Sequence, residues 1–171
     1  MPQLIRVFWD ISLWRRGPRD VPASRALLAA VALAYLGVSA LQSRLMYGPA
    51  LMLPRALADL ALTIAVFWVT LRIARRPHRF PQTVIAVLGT GTLLSLPMLA
   101  LQVVAAQAGP QGPVAAFLSL ASVPLLVWYL FVVGHIVRLA LEAPLLTGMA
   151  VAMSYFVLSY LALAQFPGAA P

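Results

Sequence analysis

Asp59 is the side chain whose type and position most suggest chemistry, because a carboxylate early in a long apolar run must be paired or put to use. Arg55 precedes it by one helical turn and Arg44 lies upstream, so an intramembrane ion pair drawn from Arg44, Arg55 and Asp59 is the simplest expectation. At a rise of about 1.5 Å per residue, Asp59 falls roughly 6 to 12 Å along its helix, within one leaflet. A proton or ion relay would need more acids inside the apolar runs, and they hold none. His135, Arg138 and Glu142 follow at i, i+3 and i+7 on one stripe at the end of another run. That stripe suits a lipid headgroup or a partner, with Arg138 and Glu142 one turn apart as an interfacial pair. His78 sits in a different basic segment, and two histidines with Glu142 would make only a thin metal site. Paired carboxylates, a Gly-x-Ser-x-Gly elbow and a His-Glu-x-x-His motif are missing, and Ser154 and Ser159 have no evident base. There is no cysteine to supply a thiolate. The sequence thus predicts a protein that is not an enzyme and needs no cofactor or metal.

The elements that must position these side chains are set by composition. Residues are 63% hydrophobic and only 9% charged, with a mean hydropathy of +0.94. Soluble domains carry roughly a quarter charged residues, so this chain belongs in lipid. All twelve basic residues are arginine, which reads most simply as the codon bias of a GC-rich bacterial genome. The net charge of +8 does not point to nucleic acid, because the arginines flank apolar runs. Anionic headgroups are the expected counter-charge, with Arg15, Arg16, Arg72, Arg75, Arg76 and Arg79 as contacts.

Five runs are long enough to cross a hydrocarbon core of about 30 Å, at about 26–43, 51–71, 83–106, 114–137 and 143–165. The second is interrupted by Pro54, Arg55 and Asp59, and a re-entrant second run would leave four crossings. Arginine placement favours five. With the N-terminus inside, only Arg44 and Arg55 of the twelve fall outside, and the segments 107–113 and 167–171 carry no charge. The expected fold is an all-α polytopic bundle of five transmembrane helices in a bacterial inner membrane, N-terminus cytoplasmic and C-terminus periplasmic. Residues 1–25 form a cytoplasmic preamble, 26–166 the bundle and 167–171 a short periplasmic tail. A signal peptide competes at the start, since Val38-Ser39-Ala40 loosely resembles a cleavage site, but the apolar stretch is long for that role.

Within the preamble, Leu4, Val7, Phe8, Ile11 and Trp14 recur at helical spacing opposite Gln3, Arg6 and Asp10. Residues 2–16 therefore predict an amphipathic helix, lying in the interface or docked on the bundle. Gly17-Pro18 ends it, and Ser24 reads as the N-cap of the first span. Small residues mark close helix packing: Ala26, Ala30 and Ala34 on the first span, Gly148 and Ala152 on the fifth. Gly89-Thr90-Gly91-Thr92 with Ser95 on the third span reads as packing or as the lining of a polar path. Pro97 and Pro124 remove the backbone bonds to Leu93 and Leu120, which predicts kinks that Ser95, Ser119 and Ser122 could help satisfy.

Five spans behind a cytoplasmic N-terminus resemble the Yip1-domain superfamily, and Tyr47-Gly48-Pro49 is similar to part of its Asp-Leu-Tyr-Gly-Pro signature. Leu45-Met46 stand where Asp-Leu would be, and the tripeptide follows the first span where the family's signature precedes it, so the resemblance implies architecture without a trafficking role. The segments 16–24 and 82–91 resemble small proteobacterial inner-membrane proteins, which implies the membrane and bacterial setting. Function narrows to a non-catalytic membrane component that assembles with itself or with a larger complex. The alternative is a small transporter or lipid-handling protein that uses the kinked third and fourth spans.

Overall fold

The computed structural model describes residues 2–108 and 113–166 of the chain. Six helices make it up: α1 (Pro2–Ser12), α2 (Arg25–Tyr47), α3 (Met52–Ile73), α4 (Phe80–Ala108), α5 (Pro113–Leu141) and α6 (Leu145–Leu163). Short 3₁₀ turns at Pro18–Asp20, Pro49–Leu51 and Pro77–Arg79 join them, each opened by the proline whose fixed φ suits a first helical position. Five helices, all but α1, are long and apolar enough to cross a bilayer. The protein is an all-α, multi-pass membrane bundle. The early Pro54 and Arg55 do not break the second span, because both lie in the first turns of α3, where a missing N–H costs nothing. The expected tail 167–171 and most of the uncharged segment 107–113 lie outside the described residues.

Ser24 caps α2 through a 3.4 Å bond from the Leu27 N–H, as its sequence position suggests. Three helices end by a different device, with Trp14, Arg75 and Glu142 at φ 62, 56 and 53. In each case the next N–H reaches back five residues, as in Arg15 to Asp10, Arg76 to Leu71 and Ala143 to Arg138. This is the Schellman stop, made without glycine. All three stops lie at the end of the bundle that carries every arginine except Arg44 and Arg55.

The centre is α4. It packs between α2 and α5, α6 pairs with α5, and α3 touches both α2 and α6. Residues 83–91 are all buried, with Val84 to Leu88 fully so. Such all-round burial needs a neighbour on every side, and α1 supplies the last one. Phe8, Ile11 and Ser12 are buried against α4 and α5, and an added Cβ at Gly89 would strike the Phe8 ring. The Trp128 indole N–H donates to the Ser12 carbonyl at 3.0 Å, closing the end of α1. The amphipathic N-terminal helix therefore docks in the bundle with its apolar face inward. Trp14 departs from that face because the helix stops at Ser12, which swings its ring onto His135.

The α5–α6 pair shows how closely backbones can approach. A Cβ on Gly148 would meet the Gly134 carbonyl and the Arg138 backbone, and one on Gly134 would meet Met149. Gly148, Ala152, Tyr155 and Ser159 form the buried stripe of α6. Ala26, Ala30 and Ala34, by contrast, are exposed on α2. Gly148→Ala should lower the melting temperature in detergent by the equivalent of about 1–3 kcal/mol, the usual cost of overpacking a tight contact. Gly37→Ala, with nothing within 4 Å of the new methyl, should leave it unchanged or raise it.

Candidate functional site

Among the described residues, no docked helix fills the half of the bundle away from α1. A cavity of about 440 Å³ opens there between α2, α3, α4, α5 and α6. Its lining extends outward to Tyr47, Arg55 and Ala164 at the helix ends. A smaller compartment of about 210 Å³ adjoins it and shares Ser39, Gln42, Arg55, Asp59 and Gln102. Gly91 makes room for the rings of Tyr35 and Tyr129, the nearest atoms an added Cβ would meet, at 3.2 and 3.7 Å. Ser95 and Gly91 from the glycine-threonine patch reach this space, whereas Pro97 and Pro124 are exposed on the outside of their helices.

Asp59 and Arg55 do not form the expected ion pair: among the described residues no arginine lies within 4.0 Å of the Asp59 carboxylate. The carboxylate instead accepts the Tyr35 hydroxyl at 2.7 Å and the Ser39 hydroxyl at 3.3 Å, both on Oδ2. Arg55 is buried, donates to the Leu163 carbonyl at 2.6 Å, and lies 3.7 Å from the centre of the Tyr47 ring. Arg44 is exposed at the end of α2 and takes no part. The order of the two residues is part of the reason, since an acid following a base at i+4 is the weaker arrangement on a helix. Neighbouring helices supply the rest by offering each group a better-placed partner.

The tyrosines were not singled out by the sequence reading. The Thr63 hydroxyl donates to the Asp59 carbonyl at 2.8 Å, so at 2.9 Å the Tyr155 hydroxyl is the donor to Thr63. Tyr129 lines the same cavity. Two polar atoms on residues that line this space are enclosed and lack a hydrogen-bond partner among the described residues: Ser159 Oγ, on a residue 9% exposed, and Gln102 Oε1. Each such buried atom costs about 1–3 kcal/mol unless something polar enters the cavity. A signal was present in the sequence, because Tyr155 and Ser159 continue the Gly148–Ala152 stripe at helical spacing.

At the opposite end, the expected Arg138–Glu142 pair is absent. Glu142 leaves the helix at positive φ, which turns its side chain away from Arg138. Its carboxylate gathers Arg19, Arg76 and Arg79, the last two at 2.5 Å. Arg79 also donates to the Leu139 and Ala140 carbonyls at 3.3 and 3.0 Å, capping α5. Arg138 donates to His135 Nδ1 at 3.2 Å, which leaves Nε2–H facing the Arg16 carbonyl at 3.2 Å. Trp14 stacks on that imidazole with centroids 5.0 Å apart. His78 is exposed, and among the described residues no three of His, Asp and Glu converge as a metal site would need. Arg16 pairs with Asp10 at 3.3 Å, while Arg15, Arg72 and Arg75 are exposed at this end.

The Arg79 and Arg76 guanidiniums beside it hold the Glu142 carboxyl at about 2, below its ordinary 4.5. A depressed value means that the cluster stabilises the fold fully above about pH 4.5 and loses that contribution as pH falls toward 2. The melting temperature of wild type should exceed that of Glu142→Gln near neutrality, and the gap should close through this acid window. A gap that stays constant with pH would assign the difference to packing and not to charge.

No protein-family model, no curated protein and no solved structure matches this chain, so its function is to be sought in these two clusters of side chains.

Proposed function

We propose that this integral membrane protein is a non-catalytic handler of a small polar ligand, which it holds in the cavity around Asp59. The observation that carries the reading is a space of about 440 Å³ in a membrane bundle, lined by a carboxylate, a guanidinium and tyrosine hydroxyls. A membrane helix bundle stabilised only for packing would fill such a space with leucine, because each buried polar group left without a partner costs free energy. In this reading the protein resides in a bacterial inner membrane, with the arginine-rich end in the cytoplasm and the cavity facing the periplasm. Arg15, Arg72 and Arg75 then lie at the depth of anionic headgroups.

Self-assembly is a second role compatible with the first. It is favoured by the exposed small-residue face of Ala26, Ala30 and Ala34. A strictly monomeric mass in mild detergent at all concentrations would remove it.

The ligand-handling reading requires a wetted cavity open to the outside. The chain has no cysteine, so a single Ser95→Cys probe reports without background. A membrane-impermeant maleimide added to intact spheroplasts should label Ser95→Cys, and should leave Val87→Cys in the buried half of α4 unlabelled. Failure to label Ser95→Cys from outside, together with labelling only in inverted vesicles, would reverse the orientation. Failure from both sides would refute the cavity's role.

A further inference from the structure

We propose that the ligand is a zwitterion that carries an ammonium group and an anionic group on one small molecule, the ammonium seated at Asp59 and the anion at Arg55. The inference rests on the ligand-handling reading and specifies its chemistry. Its basis is that two opposite charges one helical turn apart line the same two compartments yet are held out of contact. In a poorly solvated cavity they would ordinarily collapse onto each other. Each is instead fixed by neighbouring helices: Arg55 by the Leu163 carbonyl of α6 and the Tyr47 ring of α2, Asp59 by Tyr35 and Ser39 of α2.

What remains free on each group matches opposite ends of a zwitterion. Both bonds to Asp59 fall on Oδ2, so Oδ1 is the oxygen left to accept an ammonium proton. The ring of Tyr35, whose hydroxyl is fixed on this carboxylate, and that of Tyr129 stand over Gly91 in the same cavity, and aromatic faces favour a cation. The Arg55 guanidinium has five N–H donors and spends one on Leu163, leaving others for a carboxylate or phosphate. Ser159 and Gln102, whose Oγ and Oε1 lack a hydrogen-bond partner among the described residues, line the same space. A ligand with only one charge would satisfy one of the two buried ions and crowd its own charge against the other. The shared chemistry has two sources, a free amino acid-like solute or the headgroup of an aminophospholipid such as phosphatidylethanolamine.

The full-length Ser95→Cys protein in phosphatidylglycerol vesicles provides the test, with the rate of maleimide labelling as readout. 4-Aminobutyrate should slow labelling several-fold, whereas butylamine and butyrate, each with one of its charges and the same chain length, should not. Slowed labelling in phosphatidylethanolamine vesicles, with no further effect of 4-aminobutyrate, assigns the same chemistry to the lipid headgroup. Introducing Asp59→Asn should abolish protection by the zwitterion, and Arg55→Gln should do the same. Equal protection by butylamine or butyrate alone overturns the zwitterion while leaving the ligand-handling reading intact, as does labelling that no probe and no lipid slows. A cysteine that never reacts fails the ligand-handling reading itself.

Discussion

Close approach of backbones is the constraint on which the rest of this structure depends. Lipid tails solvate leucine as well as a protein interior does, so helices in a bilayer gain little by hiding apolar surface and associate through shape. Two contacts supply that shape here. Gly134 and Gly148 allow α5 and α6 to touch along their backbones, and Gly89 admits the Phe8 ring of α1 into the bundle. The second contact matters more for function, because it fills one half of the molecule. With α1 seated, α4 is buried on every side from Thr83 to Gly91. Among the described residues no helix plays the same part at the other end, where the cavity around Asp59 lies.

Polar groups then divide between the two ends according to what each environment permits. In the wetter, exposed end, three arginines can share the one carboxylate of Glu142, leaving the cluster with an excess of positive charge suited to an anionic surface. The three arginines come from the turn after α1 and the connection between α3 and α4, and Glu142 begins the connection to α6. One carboxylate thus fastens the plug to both of the loops beside it. Deeper in the bundle no such sharing occurs. Asp59 and Arg55 are each satisfied by neutral partners, hydroxyls for one and a carbonyl with an aromatic face for the other. Neutral partners fix position without cancelling charge, and a site that must receive a charged ligand needs that condition.

The helices were legible because hydropathy and arginine placement act over whole segments, and no tertiary detail overrides them. Asp59 was legible for a related reason, since a lone acid in an apolar run stands out whatever surrounds it. Its partner was not. Spacing at i and i+4 records only which residues can meet along one helix, whereas Tyr35 and Ser39 approach from α2 and Leu163 from α6. The Arg138–Glu142 pair failed for a local reason: continuing the helical stripe past Leu141 assumed a helix that in fact stops there, with Glu142 at a backbone angle usually left to glycine. The tyrosines of the cavity were hidden by their chemistry. A tyrosine in a span reads as apolar bulk until its hydroxyl is seen to have a partner.

The cavity is one-sided in this conformation. The Tyr155 hydroxyl reaches Thr63, and the next inward residues of α3 on that side are Phe67 and Leu71, both 1% exposed. Phe67 packs on the Tyr155 ring at 5.2 Å, so water and ions meet an apolar floor there. Holding a ligand requires nothing more than this state. Passing one through would require a second state in which the floor opens, and the side chains above fix what must move. Val84 to Leu88 of α4 are walled in by α1, so a path on that side of α4 needs α1 to shift, which means withdrawing Phe8 from Gly89. Arg19 stands just beyond α1 and is bound to Glu142, so the same movement also strains or breaks the carboxylate cluster. A transport cycle in this fold would thus run through the contact that builds its buried half. The Glu142 cluster would then bear on how seldom the floor opens.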